Sequence, residues 1–131
     1  MKRSKSFATT ALLVGMLAAV AAQAPAPFKR TVLQQGDLSA PGREAVMAIA
    51  EIQPAAAAGR HTHPGEEIGY VLNGPVVIEI DGKPAKTYET GGYFIIPANA
   101  IHNARNPGSA IAKILSTYII EKGKPVATPV Q

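Results

Sequence analysis

The sequence predicts an all-β domain, a sandwich or barrel of short strands. Three observations carry that expectation. From Phe28 onward, turn signals recur about every 8–12 residues, the spacing of sandwiches and barrels. The segments between them are β-branched or alternate apolar with polar residues. After residue 24 no apolar pattern of helical period runs for a useful length.

Taken in order, Thr31 to Gln35 reads as a first strand, and Gly36 to Gly42 as a polar loop containing Pro41. Glu44 to Ile52 is small and apolar and fits strand or helix by pattern alone; Pro54 and the alanine run to Gly59 end it. Glu67 to Leu72 is a strand closed by Asn73-Gly74, a hairpin signal because both residues tolerate positive φ. Val76 to Ile80 ends in a second such signal, Asp81-Gly82. Lys86 to Thr90, Tyr93 to Ile96, His102 to Arg105 and Ile111 to Ile120 complete the set. They are separated by Gly91-Gly92, Pro97 to Asn99, and Asn106 to Gly108. Residues 124–131 are Pro-containing and read as a loosely held tail. No internal repeat occurs, so a single domain over residues 28–123 is expected.

Residues 1–24 have the layout of a secretory signal peptide. A basic start, Met1 to Lys5, precedes an uncharged apolar run from Phe7 to Ala22, then small residues and Pro25-Ala26-Pro27. Cleavage is expected between residues 21 and 24, with an uncleaved anchor as the alternative. Lys2-Arg3 is not a twin-arginine signal, so export of an unfolded chain to the periplasm or exterior is expected. The net charge of +4 owes three of its thirteen basic residues to this segment; the remainder carries ten basic against nine acidic groups. That balance, with no basic patch, excludes nucleic acid as an expected partner. The chain has no cysteine, hence no disulfide, thiolate ligand or thiol nucleophile.

The three histidines are His61, His63 and His102. In a strand, side chains alternate faces, so His61, His63 and Glu67 share a parity and Glu66 does not, although Pro64-Gly65 interrupts the run. Two imidazoles and a carboxylate on one inward face are costly to bury without a partner. A divalent transition metal would satisfy all three, with His102 arriving from another strand. Three nitrogens and one oxygen suit Fe, Mn, Ni, Co, Cu or Zn.

The segment His61-Thr-His63-Pro-Gly-Glu-Glu67 followed by Gly74 resembles the first cupin motif, from its histidines onward. Its usual opening glycine is replaced by Ala55, with Gly59 close by. Gly91, Pro97, His102 and Asn106 resemble the second cupin motif, with Asn99 where glycine is usual. Asn reaches the same left-handed backbone at small cost. The resemblance implies a jelly-roll β-barrel with one metal in its mouth, held by His61, His63, Glu67 and His102. It also implies a homodimer, sometimes formed by exchange of an N-terminal strand, here residues 28–35.

The activity expected from this resemblance is that of a metal-dependent enzyme, such as a dioxygenase acting on a small neutral or aromatic compound. Glu67 is the candidate catalytic base, since in similar flavonol-cleaving cupins such a carboxylate can leave the metal; a fixed ligand is the other reading. A non-catalytic metal- or ligand-binding protein is one alternative. A metal-dependent lyase, isomerase or decarboxylase is another. Thiol dioxygenases resemble three-histidine sites without this carboxylate, and a two-domain oxalate decarboxylase needs a longer chain. Parity places Gly69 and Val71 inside, with Gly69 leaving room near the metal, and Ile68, Tyr70 and Leu72 outside. Ala100, Ala104 and Asn106 share the His102 side; Asn103, Arg105 and Arg60 point away. Phe94 or Tyr93 should enter the barrel, and Met47 could line it or pack in the core. A pocket so short of acid–base groups favours oxygen chemistry over lyase chemistry.

Overall fold

A computed structural model describes residues 23–131, and the expected signal segment falls almost wholly outside them. Ten strands form two five-stranded sheets. They are β1 (Phe28–Asp37), β2 (Arg43–Ile52), β3 (His61–Thr62), β4 (Gly65–Asn73), β5 (Val76–Ile80), β6 (Lys86–Tyr88), β7 (Tyr93–Ile96), β8 (His102–Arg105), β9 (Ala112–Glu121) and β10 (Thr128–Pro129). One sheet has the order β1-β2-β9-β4-β7 and the other β10-β3-β8-β5-β6, every pair antiparallel. They pack as a jelly roll, and none of the described residues is helical.

The ambiguity at Glu44 to Ile52 resolves to a strand because burial alternates along it with period two. Val46, Ala48, Ala50 and Ile52 face inward, where full burial of a Val or Ile contributes about 1.5–3 kcal/mol. Met47 faces out and is 39% exposed, so it neither lines the barrel nor packs in the core. β9 lies between β2 and β4 and buries Ala112, Ile114, Ser116, Tyr118 and Ile120 on one face. Ser116 is the polar break in that apolar series, and it separates two buried clusters. One is built on Ile52, Val71, Val76, Ile78, Ile96 and Ile114, the other on Val46, Ala48, Tyr118 and Ile120.

Asp81-Gly82 closes the β5–β6 hairpin as expected, with Gly82 at φ 77°. Asn73-Gly74 does not close one. Both edges of β4 are already taken by β7 and β9, so the chain crosses there to β5 in the facing sheet. The turn is tied down elsewhere. Asn73 Nδ2 donates to the Ile111 carbonyl at 2.6 Å, and the Gly74 amide donates to Thr90 Oγ1 at 3.0 Å. The C-terminal residues are likewise not a loose tail. Thr128 and Pro129 pair with Thr62 and His61, the Val130 amide donates to the Arg60 carbonyl at 3.0 Å, and Val126 packs on the smaller cluster. Nothing in the composition of 124–131 signals this, because the partner strand lies more than sixty residues upstream.

Candidate metal centre

The jelly roll brings the three histidines to one end of its interior. His61 opens β3 and His102 opens β8, and the two are register partners. His63 follows β3 directly, and Glu67 projects inward from β4 at the parity expected. All four are buried, while Glu66 is exposed. The ring centroids lie 4.2 Å apart for His61 and His102, 4.8 Å for His61 and His63, and 4.9 Å for His63 and His102. The three histidines offer nitrogens that all lie within 4.8 Å of one another.

Each imidazole is oriented by its other nitrogen. Nδ1 donates to a backbone carbonyl in all three: Gly59 at 2.6 Å for His61, Val126 at 2.5 Å for His63, and Ala100 at 2.9 Å for His102. A carbonyl can only accept, so Nδ1 carries the hydrogen and Nε2 presents a lone pair to the centre. His63 Nε2 is 3.0 Å from Glu67 Oε2, and His102 Nε2 is 3.4 Å from the same oxygen. His102 Nε2 is buried without a hydrogen-bond partner. Acceptors facing one another in a buried space need a cation between them, either a proton or a metal ion. The donor set fits a divalent transition metal.

The electrostatics agree. Burial pushes His61 down to about 4; the Gly59 carbonyl opposes this, and the two neighbouring imidazoles add to it. It is therefore neutral at pH 7 and free to ligate. Burial works against the Glu67 carboxylate, yet contacts with His102, His63 and Ser116 hold it well below the usual carboxylate range. Ser116 Oγ donates to Glu67 Oε1 at 2.7 Å, which leaves Oε2 toward the histidines.

Both positions where the motifs usually carry glycine keep a left-handed backbone: Ala55 at φ 58° and Asn99 at φ 59°. The Asn99 amide donates to the His63 carbonyl at 3.0 Å and so ties the second motif to the first. Asn106, on the His102 face as expected, is a strut. Its Nδ2 donates to the Ile52 and Ala110 carbonyls at 2.9 and 2.8 Å, and its Oδ1 accepts from the Gly108 amide.

The cavity beside the histidines is narrow, with about 20 Å³ open to a water-sized molecule. Its walls are mainly apolar: Ala50, Ile78, Phe94, Ile96, Ala104 and Ile114. Phe94, not Tyr93, turns inward. The expected room at Gly69 is taken by the Phe94 ring, whose Cζ would lie 2.2 Å from a Cβ placed there. Arg60 and Arg105 are on the surface, paired with Asp81 and Glu79.

Three lining residues have no sequence signal that points to the site. Tyr118 is 1% exposed, with its ring centroid 4.7 Å from that of His63. Burial, and then the Glu67 charge, push its hydroxyl up to about 12. Phe28 and Arg30 reach the cavity from β1, and Arg30 Nε donates to the Tyr118 hydroxyl at 3.1 Å. Alternation marks these residues as inward-facing once the strands are known, but not which site they face.

Comparison with known proteins accords with this geometry. A family model described as a cupin domain matches residues 48–118. No curated protein matches the chain. Among solved structures, a cupin superfamily protein from Desulfitobacterium hafniense is 17% identical, with a TM-score of 0.60 over 72% of this chain and 78% of that one. A DMSP lyase from Ruegeria pomeroyi is 18% identical, with a TM-score of 0.65 over 79% of this chain and 52% of that one. An oxalate oxidase in complex with the substrate analogue glycolate is 22% identical, with a TM-score of 0.65 over 82% of this chain and 57% of that one. The chain thus spans little more than half the length of the two enzymes, and at these identities the likeness is one of fold.

Proposed function

Because this chain belongs to the cupin family, we propose that it is a mononuclear metal-dependent enzyme acting on a small organic compound in the periplasm or outside the cell. The observation that carries this reading is the convergence of three Nε2 lone pairs, with His102 Nε2 buried and unpartnered. His61, His63 and His102 would hold the metal, with Glu67 as the fourth ligand. When bound, such a metal supplies Lewis acidity and, for a redox-active ion, a place for dioxygen. The chain's own residues do the rest. Ile78, Phe94, Ile96 and Ile114 exclude water and orient an apolar part of the substrate. Glu67 is the carboxylate at the centre; released from the contacts with His63 and His102 that hold it ionised, it would be the group to take a proton from substrate.

The first reading is dioxygenase chemistry. A second, a lyase or decarboxylase, is favoured by Tyr118. Its hydroxyl, at the cavity wall beside Arg30, stays protonated and gives the pocket a proton donor that the sequence alone did not place there. Solved structures of similar fold include an oxalate oxidase and a DMSP lyase, so both classes of chemistry occur on such a scaffold. The deciding experiment joins elemental analysis with oxygen uptake on mature protein, beside a His63→Ala control. Stoichiometric metal lost in the control, with oxygen consumed as substrate disappears, supports the first reading. Turnover without oxygen supports the second, and no bound metal refutes both.

We also propose a homodimer. The outer face of the β1-β2-β9-β4-β7 sheet exposes Met47, Ile68, Tyr70, Leu72, Tyr93 and Ile95, and apolar residues gathered on one sheet face favour a partner. Sedimentation at micromolar concentration as a single monomeric species would refute this.

A further inference from the structure

We propose that Arg30 is a carboxylate-binding residue and that the ligand of this pocket is a small organic anion. The proposal rests on the metal-site reading above and narrows its substrate class. Two chambers lead to the histidines: the narrow inner cavity, and an outer vestibule of about 400 Å³ bounded by Gly59, Arg60, Ala127, Pro129 and Val130. Phe28, Arg30, Ala58 and His61 line both, so Arg30 stands at the neck between them.

Arg30 is held in place without being neutralised. Its guanidinium carbon lies 5.2 Å from the ring centroids of both Phe28 and Tyr118, and its Nε donates to the Tyr118 hydroxyl. Two aromatic faces and a hydroxyl fix its plane but supply no counter-charge. Among the described residues it is in no ion pair, whereas Arg60, the other cation on the vestibule wall, is paired with Asp81. Its Nη groups keep the forked donors that match a carboxylate. The charge count agrees. A divalent metal, three neutral imidazoles, the Glu67 carboxylate and Arg30 leave the site with two positive charges, which an anion would offset. The outer vestibule has the room for the body of a small aliphatic or aromatic carboxylate, against Phe28, Ala58 and Ala127, with its charged end at Arg30; such an anion narrows the neutral or aromatic compound expected from the sequence.

The test is a binding cycle with isobutyrate and its neutral isostere isobutyramide, by calorimetry or NMR titration. Wild type, Arg30→Gln and Arg30→Lys are compared, each metal-free and zinc-loaded. Wild type should favour the acid, and Arg30→Gln should weaken the acid about tenfold while leaving the amide unchanged. Arg30→Lys should retain part of the preference. Equal losses for acid and amide in Arg30→Gln would overturn the proposal. So would wild-type protein that binds the amide as well as the acid, or binds neither at millimolar concentration. If Arg30→Gln fails to fold, the wild-type acid-to-amide ratio decides. A protein that takes up no zinc refutes the metal reading instead, and the metal-free cycle then judges Arg30 alone.

Discussion

Ending the chain after Lys124 should weaken metal binding without removing a single ligand. The Val126 carbonyl is the sole acceptor for His63 Nδ1 among the described residues, and the contact is short, at 2.5 Å. Removing it frees the ring to turn and to change tautomer, and partners of this kind are worth about 10–100-fold in metal affinity. At about 1.4 kcal/mol per tenfold, that is roughly 1.4–2.8 kcal/mol. The truncation also removes the strand pair Pro129 with His61 and the Val130 amide bond to Arg60, so His61 loosens with it. Zinc affinity is measured by competition with a chromophoric chelator, with circular dichroism confirming the fold. Val126→Ala is the control. It keeps the carbonyl and loses only half-buried methyl groups, so stability should fall by about 1 kcal/mol with zinc affinity unchanged. A folded truncated chain that binds zinc as tightly as the full chain would refute the assignment of Val126 as the support of His63.

Three further outcomes are expected. Ala55→Gly should raise the denaturant midpoint, because a left-handed alanine costs about 1–2 kcal/mol and the added unfolded-state freedom of glycine returns only part of that; an unchanged or lower midpoint would count against strain at this position. Gly69→Ala should destabilise by about 1–3 kcal/mol, since its methyl group would overlap the Phe94 ring, and Phe94→Leu should recover part of the loss; thermal unfolding of both variants decides. In metal-free protein, the folded pKa of His61, about 4, lies below its unfolded value of 6.5, so the unfolded chain takes up that proton first as the pH falls. Stability from this group is full above pH 6.5 and falls toward pH 4 by at most about 1.4 kcal/mol per unit. Glu67, depressed in the folded state, adds a loss in the same direction once the pH drops below its unfolded value of 4.5. Denaturant midpoints across this range should show the slope in wild type and a shallower one in His61→Gln; a flat wild-type profile would refute the reading.

Much of this molecule is written in local patterns. Period-two alternation sets Glu67, Gly69 and Val71 inward with Ile68 and Tyr70 outward, and burial along β4 follows it; His61, on β3 in the facing sheet, and His63, just after it, meet Glu67 because the two sheets close on one interior. β5, β7 and β8 begin and end where their turn residues predict. His102 is assigned to the same site by the resemblance of its strand and turn to the second cupin motif, and the structure pairs it in register with His61. Left-handed turns survive at Ala55 and Asn99 without glycine, so the backbone requirement outlasts the residue that usually meets it.

What periodicity cannot say is which strands become neighbours. Asn73-Gly74 carries a hairpin signal, yet the chain crosses between sheets there because both edges of β4 are filled by strands further along the chain. Tyr118 and Ser116 meet Glu67 from about fifty residues away in sequence, Arg30 meets Tyr118 across 88 residues, and Val126 meets His63 across 63. Alternation states that such residues face inward but not what they face. The sequence by itself therefore marked most of the strands, their inward faces and the candidate ligands His61, His63, Glu67 and His102. Only the tertiary structure decided what surrounds that set: an oriented tyrosine, an uncompensated arginine and a C-terminal carbonyl, all placed by closure of the barrel.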